Sequence, residues 1–106
     1  MPIDPSLATP APTRRAWERA CLEALLRGLD RSDRQSLRGR GVVIEDVQLV
    51  GDYPRTRIVV AYFDARLNRH LARSFDLWQL YAYPEGFQDP PEMVATFIYV
   101  ELSEPR

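Results

Sequence analysis

Between Arg14 and Leu29 the apolar positions recur at helical spacing. Trp17, Cys21 and Leu25 lie four apart, and Leu22, Leu26 and Leu29 widen the stripe. An amphipathic helix burying that side is expected. Thr13, following Pro12, is the expected N-cap. Arg14–Glu18 and Arg19–Glu23 form opposite-charge pairs at i,i+4, expected on the solvent side. The next stretch, DRSDRQSLRGRG (30–41), holds a single apolar side chain, Leu37. It reads as a surface connection with one short helical turn, opened by Ser32 and Gln35 as a capping box and ended by Gly39 and Gly41.

From Val42 the pattern becomes β-type. VVIEDVQLV (42–50) is rich in β-branched residues, GDYP (51–54) is a turn signal, and TRIVVAYFD (56–64) reads as a central strand. ARLN (65–68) is a second turn, and a third strand is expected from Arg69 through FDLWQLYAY to Tyr83. Short turns between these runs imply an antiparallel meander. In the last segment, DPPEMVATFIYVELSE, Asp89 stands three residues before Glu92 with prolines between, a capping-box start. Val94, Ile98 and Leu102 then share one helical face, flanked by Phe97. The run VATFIYVEL also has β propensity. The position-specific start signal favours a helix over 91–103 rather than a fourth strand. The expected architecture is α-β-β-β-α: an α+β, two-layer fold whose three-stranded antiparallel meander, four-stranded if 91–103 extends it, is flanked by an N-terminal and a C-terminal helix.

The segment Phe75–Phe87 carries five aromatic side chains among thirteen residues. Were it a strand to Tyr83, Phe75, Leu77, Gln79, Tyr81 and Tyr83 would point to one side, and Asp76, Trp78, Leu80 and Ala82 to the other. Large apolar groups would then lie on both sheet faces. The helices cover one. The other would carry Trp78 and Leu80 beside Ile58, Val60 and Tyr62.

A chain of 106 residues forms one domain with a single core. Residues 1–12 contain four prolines and read as a flexible arm, leaving 13–106 as the domain. The arm lacks the pattern of a signal peptide, and no apolar run is long enough to span a membrane. The lone cysteine, Cys21, excludes an internal disulfide, and a cytoplasmic setting is expected. All fourteen basic residues are arginine. Residues 27–73 carry ten of them against six acids, whereas 74–105 carry six acids and no base. Such asymmetry suits two faces that meet within the fold, across a dimer or with a partner.

Catalytic and metal chemistry find little support. One histidine, His70, and one cysteine on an apolar helical face give no zinc spacing. Ser74 is too far along the strand to pair with His70, and Glu45 and Asp46, as adjacent strand residues, should face opposite ways. The RGRG stretch (38–41) lacks phosphate-loop spacing. No cofactor or metal is expected.

The expected function is that of a small non-enzymatic protein-interaction module, an adaptor, regulator or immunity-type binding protein, binding a partner protein or a second copy of itself. Trp78, Tyr81, Tyr83 and Phe87 would anchor the partner, with Arg55, Arg57, Arg69 and Arg73 on the rim. The alternative is a small-molecule-binding or enzymatic domain with a pocket between sheet and helices, where Arg73 or His70 would stand beside Tyr81. Nucleic-acid binding through the arginines of 27–73 ranks third, because Asp30, Asp33 and Asp64 interrupt the basic clusters.

Overall fold

A computed structural model describes residues 11–30, 37 and 39–103. The first helix, α1, spans Ala11–Asp30. It starts before Thr13, which therefore lies inside the helix rather than capping it. Pro12 fits because the first turn of a helix needs no N–H from that residue. The proposed arm over residues 1–12 thus gives up its last two residues to α1. Residues 1–10 and the Ser32/Gln35 capping box lie outside the described residues. Trp17, Cys21, Ala24, Leu25 and Leu29 are buried along α1. Leu26 falls off that stripe and is exposed.

The strands are β1 (Val42–Val50), β2 (Arg57–Asp64) and β3 (Arg69–Asp76), paired antiparallel in the order β1-β2-β3. Register decides which side chains are inside. Val42 faces Asp64, Ile44 faces Tyr62, Val47 faces Val60 and Leu49 faces Ile58. On the other side of β2, Phe75 faces Ile58 and Leu71 faces Tyr62. These pairs form the inner face, and Ile58 and Val60 are fully buried. The sequence expectation that Ile58, Val60 and Tyr62 would lie on an open face is therefore reversed.

The inner positions of β1 switch from even to odd because a bulge shifts the register between Ile44 and Asp46. One extra residue, Glu45, lets both halves of the strand present apolar side chains to the core. The bulge also corrects the expected separation of Glu45 and Asp46, since both now belong to the outer face. There Glu45 meets His70 Nδ1 at 2.8 Å, and Asp46 accepts from Gln48 at 2.6 Å.

The turns between strands are built by specific residues. Asp64 is buried, and its Oδ1 accepts from the backbone N–H of Arg66 and Leu67. Asn68 takes a left-handed conformation (φ 51°) that asparagine tolerates. Gly51 has φ 84°, and a Cβ there would stand 3.0 Å from the Arg55 carbonyl oxygen, so the β1–β2 turn requires glycine.

The main departure from the sequence reading comes after Asp76. The third strand stops there, and Leu77–Leu80 forms a one-turn helix, α2. Asp76 caps it, its side chain accepting from the Gln79 N–H. The alternation expected through Tyr83 therefore ends at Asp76. Phe75, Leu77 and Tyr81 are buried, and Tyr83 is exposed.

The last helix, α3 (Pro91–Ser103), is a helix as expected. Its capping box does not form as the sequence suggested. The Asp89 carboxylate accepts from the Tyr83 hydroxyl at 3.1 Å, and Glu92 pairs with Arg27 of α1 at 2.8 Å. Val94, Ala95, Ile98 and Leu102 are buried. Arg73 of β3 donates to the Glu101 carbonyl at 2.8 Å, clipping α3 to the sheet edge.

The helical face of α3 yields a direct check. Ile98→Ala should cost about 2–5 kcal/mol in urea unfolding, as deletion of a buried branched side chain does. Val100 is exposed, so Val100→Ala should stay within about 0.5 kcal/mol. Equal losses would place both on one strand-like face and contradict the helix.

Candidate functional site

The residues expected to bind a partner are brought together only in part. Trp78 and Tyr81 serve the interior. Trp78 is half-buried and packs on Trp17 of α1, the ring centroids 4.9 Å apart. Its indole N–H donates to the Glu18 carboxylate at 2.6 Å. Glu18 is buried, so the sequence expectation of a solvent-facing partner for Arg14 is corrected. Its carboxylate needs a donor inside, and Trp78 supplies one. Arg14 instead lies over the Tyr53 ring, 4.1 Å from its centroid. Tyr53 in turn meets Trp78 edge-on at 4.9 Å and 88°. Trp17 donates its own N–H to the Asp89 carbonyl at 2.8 Å.

Tyr81 is buried and stacks on Phe97 of α3, centroids 6.0 Å apart. A ring so enclosed cannot be the partner anchor expected of it. Its hydroxyl pKa is raised, first by burial and then by the charge of Glu101. Tyr83 and Phe87 are exposed. They flank a turn in which Gly86 N–H donates to the Tyr83 carbonyl at 2.9 Å and Tyr83 N–H to the Phe87 carbonyl at 2.8 Å. Pro84 and Gly86 (φ 88°) occupy positions that favour each residue in such a turn. Asp89 raises the Tyr83 hydroxyl pKa by accepting its proton in a hydrogen bond and by its charge.

Two clefts flank α2. One, about 580 Å³, is lined by Tyr53, Trp78 and Tyr83 with Pro54, Arg55 and Gln79 among its walls. The other, about 430 Å³, brings Leu80, Tyr81, Phe97 and Val100 together with Arg73 and Glu101. The second cleft contains Phe97 and Val100, which sequence reasoning did not single out, and Leu80, which it placed on an open sheet face. Leu80, Phe97 and Val100 are exposed on it. The signal that Leu80 lies on a helical turn and not on a strand is Asp76-Leu-Trp-Gln79, a capping-box spacing.

The arginines do not converge. Arg55 lines the first cleft. Arg57 begins β2, whereas Arg69 sits opposite Asp64 at its far end, about 23 Å away at 3.3 Å per residue. Arg73 has only 18% of its side chain exposed and is spent on Glu101. It is a structural clip rather than a free rim charge. Arg31, Arg34 and Arg38 lie outside the described residues. This spacing gives no continuous phosphate-binding stripe among the described residues. The pocket reading places Arg73 and Tyr81 in one cleft, but His70 is on the outer sheet face with Glu45.

No protein-family model, curated protein or solved structure matches this chain. Among the described residues no three histidine, cysteine or acidic side chains stand close enough to hold a metal ion, and no helix is long and apolar enough to cross a membrane.

Cys21 lies fully buried on α1, its thiol pKa pushed up to about 12 by burial and by the Glu18 carboxylate. The folded state therefore holds the thiol proton more tightly than the unfolded chain does. The stability this contributes is complete below the ordinary thiol value of 9.0 and is lost as pH rises toward about 12. Between pH 9 and 11, wild-type stability should fall faster than that of Cys21→Ala, by up to about 1.4 kcal/mol per pH unit. Parallel pH profiles in chemical denaturation would refute this.

The Trp78–Glu18 bond is testable separately. Trp78→Phe keeps a ring but removes the donor, and should cost about 1.5–3 kcal/mol. In Trp78→Phe/Glu18→Leu the orphaned acceptor is gone, so part of that loss should return. A double-mutant cycle with no coupling would show that the bond contributes nothing.

Proposed function

We propose that this chain is a non-enzymatic protein-interaction module, of the adaptor, regulator or immunity type, that docks through α2 and the segments on either side of it. One observation carries the reading. Leu80, Tyr83, Phe87, Met93, Phe97 and Val100 are each 44–60% exposed within a stretch of about twenty residues. The core is filled without them, by Leu25, Ile58, Leu77, Val94, Ile98 and their neighbours. Folding therefore gains little from the exposed parts of these side chains, and a monomer seldom leaves large apolar groups open together. Exposed aromatics beside aliphatic groups are the usual anchors of protein interfaces.

The surface proposed from the structure differs from the one expected from sequence. Tyr83 and Phe87 remain, Trp78 forms a cleft wall, Tyr81 drops out, and Leu80, Phe97 and Val100 enter. Arg55 is the arginine best placed at the rim. A cytoplasmic setting belongs to this reading, which rests on the lone cysteine of the sequence. A second copy of the chain could serve as the partner, which sedimentation velocity would reveal as a concentration-dependent dimer.

The test uses the tagged full chain and comparative capture at moderate salt. Leu80→Ser and Phe97→Ser should each reduce capture of the stoichiometric partner, or dimer formation, by tenfold or more. Val43→Ser, on the outer sheet face, should leave both unchanged. Equal capture by all three folded variants, or neither a partner nor a dimer, would overturn the proposal.

A further inference from the structure

The cleft lined by Tyr53, Trp78 and Tyr83 has a construction that specifies a ligand class. We infer that it binds a proline-rich segment of a partner protein in the polyproline II conformation, with an acidic residue of that segment paired to Arg55. This rests on the protein-binding reading above and names the chemistry of the partner.

The first argument is rigidity. Tyr53 and Trp78 stand perpendicular at 4.9 Å, forming a step of two aromatic faces. Each is fixed from behind: Arg14 covers Tyr53, while Trp17 and Glu18 hold Trp78. The rings meet edge to face and are backed by these contacts, so the cleft is present without a ligand. Rigid rings suit a rigid ligand, because neither side loses much conformational freedom on binding. Polyproline II segments dock in aromatic-lined grooves for this reason.

The second argument is the balance of donors and acceptors. The lining side chains able to hydrogen-bond are the Tyr53 hydroxyl, the Arg55 guanidinium, the Gln79 amide and the Tyr83 hydroxyl. Tyr83 donates to Asp89. The side-chain donors of Tyr53, Arg55 and Gln79 make no hydrogen bond to another described residue. The indole N–H of Trp78 is already engaged by Glu18. A proline-rich segment offers a carbonyl at every residue and lacks an N–H at each proline. It is therefore acceptor-rich and matches a wall rich in free donors.

The third argument is charge. Arg55 has no acidic partner among the described residues, and no acidic side chain lines this cleft. An acidic residue in the ligand would meet an uncompensated guanidinium, which can bind a carboxylate through two parallel N–H donors.

The experiment titrates the ¹⁵N-labelled full chain with a synthetic peptide of alternating proline and aspartate, and with its proline-to-alanine counterpart. Saturable shifts are expected at the Trp78 indole and the Tyr83 amide with the proline peptide only. Tyr83→Ala and Arg55→Glu should each weaken binding about tenfold or more, while Leu80→Ser and Phe97→Ser leave it unchanged. No saturable shift, shifts confined to other surfaces, or binding that survives Tyr83→Ala would overturn the inference. The chain carries Pro2, Pro5 and Pro10 with Asp4 in its own first ten residues. If the peptide perturbs Trp78 only after those three prolines are replaced by alanine, the occupant is the chain itself, and the assignment to a partner falls. If capture through Leu80 and Phe97 persists while no peptide binds, this inference fails and the protein-binding reading stands.

Discussion

The hydrogen bond from the Trp78 indole to the buried carboxylate of Glu18 is the constraint on which the rest of this surface depends. A carboxylate on the inner side of α1 would be costly without a donor. Trp78 can supply one only if the chain turns at Asp76 and brings α2 back against α1. The adjacent residue, Trp17, ties down the other end of the same segment by donating to the Asp89 carbonyl. Two neighbouring residues of one helix thus hold both ends of the stretch from 77 to 89. Leu77 goes inward, Leu80 outward, and the Tyr83–Phe87 turn projects between two anchored points.

The remaining polar links carry unequal weight. The Arg27–Glu92 pair is exposed on both sides, and such pairs contribute about 0–1 kcal/mol. The Arg73–Glu101 contact is more enclosed on the arginine side and includes the helix carbonyl. A cation donating to a carbonyl in the last turns of a helix satisfies an acceptor the helix itself leaves open. Arg73 therefore fixes where α3 ends against the sheet edge. That placement sets the width of the cleft between Phe97 and Leu80.

Much of this was legible in the sequence. The α+β meander and both long helices follow from period, β propensity and turn residues. The β-branched run VVIEDVQLV coincides with the strand Val42–Val50. The reading failed where a local polar signal competed with a strong apolar pattern. Trp78, Leu80 and Tyr81 looked like strand because aromatics favour strands, yet Asp76 and Gln79 formed a cap. Glu18 looked like a surface partner of Arg14, because helix spacing alone cannot reveal a donor sixty residues away. The bulge at Glu45 left a trace in the change of apolar parity from 42 and 44 to 47 and 49, but only pairing with β2 shows which residue is extra. Of the proposed docking surface, Tyr83, Phe87 and Arg55 are expected from the sequence, and Leu80 is expected there on an open sheet face. Phe97 and Val100 are not, because their exposure depends on how α3 packs.

A four-residue helix has no stability of its own. α2 exists because Asp76 caps it, because Leu77 is buried, and because Trp78 is held by α1. Trp78 and Leu80 are two residues apart on that turn, so they project in different directions and wall different clefts. A rigid turn therefore joins the aromatic cleft to the apolar one. The two clefts therefore share one wall, α2, whose position is set by the buried carboxylate behind it.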